Sequence, residues 1–474
     1  MKKSIWRFAL TILHASVLLV SCKKNADLKT PGLKLPDVQA SSPGAGDAKY
    51  DLLGFGYNVT GQLGHHESSG YPVLDINKLD LENPTLILES SPRETFYKEE
   101  YAENAESYSQ KISNSIEATS EFNAFGQTIS SGFSHYNRST YMFDYKYIYG
   151  SYDLVIRQKR FRLSSGVSLL QNYLTQGFWN DLTALTPEEI ITKYGTHVLL
   201  DLYTGAKLSI MFEAETSNTN KAEAARVGIN AGIGKIFSIH TNYSYEDSLV
   251  NKNFFRKLSY RTMGGDPSKY LIGQLDLDDQ NSPAINIGSW QSSSTPENSL
   301  LVEIAPNGLL PLYELVADPV KKETLRNAIN SYITARQVKN FYTPSPVYSF
   351  YNGRFHYLST SRTGAPAGYT LEGITFLAFT YPVPGSTNIF PIYRWQDTSD
   401  GSYIYVEANY QLPSEYVNQG IAFYAQLNDV PPARPLYRYY NSRSGDHYFV
   451  TDFNMLGNGG SGGYKLDGLC YWVW

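Results

Sequence analysis

The clearest pattern along the chain is an alternation. Leu208, Ile210, Phe212 and Ala214 are apolar, Ser209, Glu213 and Glu215 between them are polar, and Met211 is the exception. A period of two predicts an amphipathic strand. After the polar stretch TSNTNKAEAA a second alternation begins. Val227, Ile229, Ala231, Ile233, Phe237, Ile239, Tyr243 and Tyr245 share one face, broken by Lys235 and Thr241. Gly228, Asn230, Gly232, Gly234, Ser238, His240, Asn242, Ser244 and Glu246 share the other, with Ile236 as the exception. The glycines weigh against a helix here, so this stretch also predicts a strand. A weaker alternation places Ile112, Ile116, Ala118, Phe122 and Ala124 on even positions, ahead of the small, polar QTISSGFSHYNRSTY and the tyrosine-rich strand YKYIYGSYDLVIRQKRFRL. The chain thus carries two cassettes of strand, soft insert and strand. A transmembrane β-strand needs only about 9–11 alternating residues. A strand of a soluble sheet looks the same, and periodicity alone leaves both open.

The pattern changes after residue 340. PVYSFYNGRFHYLST, PIYRWQDTSDGSYIYVE and PLYRYYNSRSGDHYFVT resemble one another, and GYTLEGITF, EYVNQGIAF and GYKLDGLCY align on Tyr369, Tyr416 and Tyr464 and on Gly373, Gly420 and Gly468. Each unit is too short to bury a core alone, so three are expected to close around a pseudo-threefold axis as an all-β domain over 341–474. Tyr348, Tyr393 and Tyr437 read as core. Trp395, Tyr439, Arg443, Asp446 and His447 combine ring faces with hydroxyl-binding groups and are the glycan-binding candidates. Cys470 aligns with Thr375 and Ala422 and is expected to be a buried free thiol.

Composition narrows the classes. Among 474 residues there are 39 Tyr, aromatics reach 14% and charged residues only 18%. That favours β-rich structure with sugar- or membrane-facing surfaces. The net charge of −5 with no long basic run argues against nucleic acid as a partner. At the N-terminus, MKKSIWR is a basic region and FALTILHASVLLV an apolar core too short to span a bilayer. Leu19-Val20-Ser21-Cys22 follows and resembles a bacterial lipobox. Residues 1–21 are therefore expected to be a lipoprotein signal peptide, and 22–49 a flexible tether lipidated at Cys22. This predicts an exported protein anchored to the bacterial outer membrane, on the cell surface or released in vesicles.

Candidate enzymatic chemistry is sparse. No HExxH, GxSxG or P-loop occurs. His65, His66 and Glu67 in GHHESSG suggest a metal, but adjacent histidines on a strand point to opposite faces. Asp276, Asp278 and Asp279 in LDLDDQN read as a solvated loop. No catalytic residue, metal or cofactor is expected.

The stretch KYGTHVLLDLYTGAKL decides the class. Tyr194-Gly195-Thr196-His197, then Val198, six residues, and Gly205-Ala206, resembles the signature of the membrane-attack-complex/perforin (MACPF) family: aromatic, Gly, Thr or Ser, His, aromatic, six residues, Gly-Gly. Val198 and Ala206 depart from it. The flanks agree. LTPEEIITKYGTH is a helix capped by Thr186 with Pro187 and Glu189 in its first turn, YRTMGGDP ends the second cassette at Gly264 and Gly265, and GLLPLYELVADPVKKETLRNAINSYI is similar to the family's closing helices. The whole resembles Bacteroidetes MACPF lipoproteins with a C-terminal three-repeat β domain. The resemblance implies an α+β MACPF domain over 50–340, a bent, twisted four-stranded antiparallel sheet flanked by two helical clusters, near 127–141 and 217–246. It implies self-association into a ring, unwinding of the clusters into hairpins, and insertion of Val227, Ile229, Ala231, Ile233, Phe237 and Ile239 into a target membrane. The expected function is pore formation against competitors, with a glycan or outer-membrane receptor as a further partner. The alternative is non-lytic adhesion on the same scaffold. His197 is then a structural residue of a hinge.

Overall fold

The computed structural model describes residues 50–116, 123–132, 136–137, 141–216, 218–237, 239, 247–279, 283–459 and 461–474. Cys22 and the two N-terminal segments lie outside the described residues.

The elements that position the candidate site are β1 (Glu94–Ala102), α1 (Ala105–Asn114), β2 (Tyr147–Leu163), α2 (Pro187–Tyr194), β3 (Asp201–Thr216), α3 (Lys221–Phe237) and β4 (Asn253–Met263). Strands β1, β2, β3 and β4 form one antiparallel ladder system: β1 pairs β2, β2 pairs β3 and β3 pairs β4. The sheet changes partners part-way along. From Tyr149 to Arg157, β2 is flanked by β1, whereas Arg160 to Leu163 pair with the strand Ile87–Ser90. Likewise β3 pairs β4 from Lys207 onward, while Leu202 to Gly205 pair with Leu300–Ile304. A register shift between Arg157 and Lys159, opposite Gly205 and Thr204, marks the change.

The alternation of β3 is borne out: Ala206, Leu208, Ile210, Phe212 and Ala214 are fully buried on one face. The opposite face is not solvated. Lys207, Met211 and Glu213 are buried too, and α1 covers part of that side through Tyr108, whose hydroxyl donates to Ser151 Oγ at 2.6 Å.

Two strand expectations fail. Ile112 lies on α1, capped by Asn104 Oδ1 accepting from Ser107 N–H, and Tyr108, Ile112 and Ile116 are buried at a spacing of four, the helical period. Ala118 and Phe122 lie outside the described residues. The stretch from Val227 is helix α3, not strand. Asn220 Oδ1 accepts from Glu223 N–H at its start, and Ala222, Ala224 and Ala225 favour helix. Its glycines serve close approach. A Cβ on Gly228 would lie 2.3 Å from the Phe212 ring, and one on Gly232 would lie 2.9 Å from Leu258 Cδ1. Packing against the sheet outweighs their poor helix propensity.

A second, small sheet orders Leu309–Pro311, His197–Leu199, Phe55–Tyr57 and Ser69–Pro72. Beyond it the C-terminal region is β-rich. Three strand triplets recur: Ser345–Tyr351 with His356–Ser359 and Thr370–Ala378, Ile389–Asp397 with Tyr403–Glu407 and Tyr416–Gln426, Arg434–Asn441 with Asp446–Val450 and Lys465–Val473. In each, the first strand pairs both others, and its register slips beside Tyr348, Tyr393 or Tyr437. Those three tyrosines are half-buried. Val347, Phe350, Phe376, Ile392, Tyr405, Phe423, Leu436, Phe449 and Tyr471 share one core. Cys470 is a free thiol of intermediate exposure, its pKa pushed up to about 11 by burial.

Candidate functional site

Helix α2 begins with the expected capping box: Thr186 N–H donates to Glu189 and Glu189 N–H donates to Thr186, with Pro187 in the first turn. It ends at Tyr194, whose hydroxyl donates to Asp181 at 2.6 Å. Gly195 follows with φ +86, and a Cβ there would lie 2.5 Å from the Tyr57 carbonyl carbon. The chain can turn into the small sheet only through a glycine at this position.

Thr196 is fully buried and ties three groups together. Its N–H and hydroxyl donate to Tyr57 O, at 2.9 and 3.2 Å, and its Oγ1 accepts from Val59 N–H at 3.2 Å. His197 Nδ1 lies 2.9 Å from the same oxygen. With the hydroxyl proton given to Tyr57, Nδ1 is the nitrogen that donates. Burial depresses the His197 pKa to about 4, so the ring is neutral at physiological pH. It is a buried residue at the first position of the strand His197–Leu199 in the small sheet.

The second half of the motif sits at the partner change of the large sheet. A Cβ on Gly205 would lie 1.8 Å from Ile156 O, and one on Gly264 would lie 2.1 Å from Gly205 O. Gly264 and Gly265 have φ of +68 and +77. Trp290 donates its indole N–H to Gly264 O at 2.9 Å, and Gly265 N–H donates to Asn298 O. Ala206 is fully buried in the core beside them. Trp290 was missed in the sequence, which carries no local signal for its bond to Gly264.

Helix α3 lies on the apolar face of the sheet. Val227, Ile229 and Ile233 are fully buried, Phe237 is 4% exposed, and Ala231 and Ile239 are half-buried. Asn230, expected on a water-facing side, is buried as well and donates to Arg226 O at 3.0 Å. In a helix, residues two apart point nearly oppositely, and α3 is buried on most of its circumference. Ser238, His240 and Asn242 lie outside the described residues.

The remaining candidates separate. His65 and His66 are not on a strand: His65 caps a short 3-10 helix and the two rings stack at 4.7 Å. Together with Glu67 they bring one ligand atom each within 4.8 Å. Burial holds His65 near pKa 3, with Lys207 adding to the effect. Asp278 is paired with Arg256 at 2.6 Å, and Asp276 accepts from Asp278 N–H. Of the glycan candidates, Arg443 is exposed and Trp395 half-buried. Tyr439 is fully buried and donates to Gly457 O, because its strand turns that position inward. Asp446 is buried and already engaged by His356 N–H, His356 Nδ1 and the Tyr464 hydroxyl. His447 is buried beside Tyr440, its pKa lowered to about 4 by burial. Those three are interior residues rather than a sugar-facing surface.

A model of the MAC/Perforin domain matches residues 42–341. The chain belongs to the MAC/Perforin domain family. A second model, a domain of unknown function (DUF5648), matches residues 337–474. Among solved structures, a MAC/Perforin-domain protein from Bacteroides thetaiotaomicron is 19% identical, with 70% of this chain and 68% of that one covered, at a TM-score of 0.47. GNIP1Aa from Chromobacterium piscinae is 14% identical over 90% and 82% of the two chains, at 0.49. Pneumolysin is 10% identical over 80% and 67%, at 0.21. No curated protein matches. Members of this family are typically non-catalytic.

Proposed function

We propose that this MAC/Perforin protein oligomerises on a target membrane and inserts β-hairpins to form a pore. One observation carries the reading: the segment from Val227 to Phe237 has the alternation of a strand yet folds as part of helix α3. A sequence obliged only to pack as a helix has no reason to keep period two. The same residues satisfy both states, buried against the sheet as helix and alternating as strand. Helix α3 also lies between β3 and β4, which are already antiparallel neighbours, and the segment holding α1 lies between β1 and β2 in the same way. Unwinding either segment continues an existing ladder.

In the inserted strand Val227, Ile229, Ala231, Ile233, Phe237 and Ile239 face lipid and Asn230 faces water. Among the described residues no helix is long and apolar enough to cross a membrane, which says nothing of strands. Gly205, Gly264 and Gly265 form the joint at which a bent sheet opens. The C-terminal region closes around a pseudo-threefold axis as the recognition module, with Trp395 and Arg443 remaining as glycan-facing candidates, and Cys22 carries the lipid anchor. The target is a competitor's envelope.

Dye release from target-cell envelopes, with electron microscopy of the same membranes, tests this. Release together with rings supports pore formation. Binding without release or rings overturns it in favour of adhesion.

A further inference from the structure

The first residue of α3, Lys221, lies between Tyr145 of the MAC/Perforin domain and Tyr381 of the C-terminal region. Its Nζ stands 4.4 Å from the Tyr145 ring centroid and 5.4 Å from that of Tyr381, and donates to Tyr145 O at 3.3 Å. Tyr145 directly precedes β2 by two residues, whereas Tyr381 follows the first strand triplet of the C-terminal region. The two rings meet at 4.9 Å, nearly edge to face, and Tyr342 lies 5.0 Å from Tyr145. Tyr381 is 6% exposed and its position is set by the linker between the regions: its hydroxyl donates to Thr343 O at 2.9 Å and accepts from Thr343 N–H at 3.1 Å. The Thr343 hydroxyl in turn donates to Asp144 at 2.8 Å.

A lysine is out of place here on two counts. The first turn of a helix is its positive end, which disfavours a cation. Burial also penalises the ammonium, and its pKa is lowered despite Glu103, Asp144 and Glu215 nearby. Two ring faces and a carbonyl offset part of that cost, and one of those faces belongs to Tyr381.

The geometry points to a clasp in which Tyr381 of the C-terminal region holds Lys221 and with it the first turn of α3, so that displacement of the C-terminal region by its ligand loosens the inserting segment. Recognition and insertion are thereby coupled through one side-chain contact. The coupling to insertion rests on α3 being the segment that inserts; the clasp itself does not.

Hydrogen exchange in the full-length soluble protein tests it without any membrane. Lys221→Gln and Tyr381→Ala should each accelerate exchange of the α3 amides from Ala225 to Ile229, by roughly tenfold or more if the clasp limits local opening. The double variant should exchange less fast than the two single effects combined would give, because the two share the Lys221–Tyr381 contact. Lys221→Arg, which keeps a cation over the rings, should retain protection. Exchange in α1 serves as the folding control. Unchanged α3 exchange in Lys221→Gln, or equal acceleration in α1 and α3, overturns the clasp. Dye release is read separately: a loosened α3 in a protein that releases no dye leaves the clasp standing and removes the pore.

Discussion

Ile229 Cβ lies 3.4 Å from the point that a Cβ on Gly150 would occupy. Helix α3 and strand β2 approach there as closely as the two halves of a disulfide, whose Cβ atoms sit about 3.5–4.5 Å apart. The paired substitution Gly150→Cys and Ile229→Cys should therefore cross-link under oxidation with little movement. The locked protein should bind membranes yet release no dye, and reductant should restore release. Lysis by fully cross-linked protein, verified by mass spectrometry, would show that α3 stays on the sheet.

Two glycine substitutions should act in opposite directions. Gly205→Ala drives a Cβ to 1.8 Å from a backbone oxygen that cannot step aside. It should cost about 3 kcal/mol or more, the range of a backbone clash at a constrained position. Gly234→Ala on α3 meets nothing within 4 Å. It should stabilise by about 0.5–1 kcal/mol through helix propensity. Denaturant unfolding of both variants is the measurement. A Gly205→Ala protein of wild-type stability would remove this residue from the joint.

Stability should fall on both sides of neutrality. His356 Nδ1 is 2.5 Å from Asp446 Oδ2, and its pKa stands near 9: burial lowers it, but hydrogen bonds to Asp446 and Glu372 raise it more. A folded-state pKa above the unfolded one means that stability is full below pH 6.5, declines as pH rises, and is lost above 9. The interval corresponds to something on the order of 3 kcal/mol. His197 has the opposite sign. Burial lowers it to about 4, so its contribution is intact above 6.5 and lost as pH falls towards 4. His356→Gln should flatten the alkaline limb of a plot of unfolding free energy against pH and leave the acid limb in place. An unaltered alkaline limb would mean that the pair does not form.

The proposed anchor has a test of its own. If Cys22 is lipidated, Cys22→Ala should yield a product that no longer takes up labelled acyl chains and leaves the membrane fraction, since the acyl chains would supply most of the membrane affinity. Unchanged labelling would rule out the lipobox.

The sequence by itself determined the features that depend on neighbouring residues. The capping box of α2, the turn at Gly195 and the alternation of β3 are local, and each was legible because its chemistry acts over a few positions. The MAC/Perforin motif was legible for the same reason: a run with fixed spacing needs no partner to be recognised. Tertiary structure alone decided the conformation of 227–237, where strand period and glycines pointed one way and burial against Phe212 and Leu258 pulled the other. It decided that Tyr439 and Asp446 face inward, because a repeat shows which positions are equivalent but not which side of the sheet carries the core. It also brought Lys221 to Tyr381, 160 residues away by numbering, a contact created only when the C-terminal region docks. Local preference is written residue by residue, whereas burial belongs to the assembled surface, and at α3 the second outweighed the first.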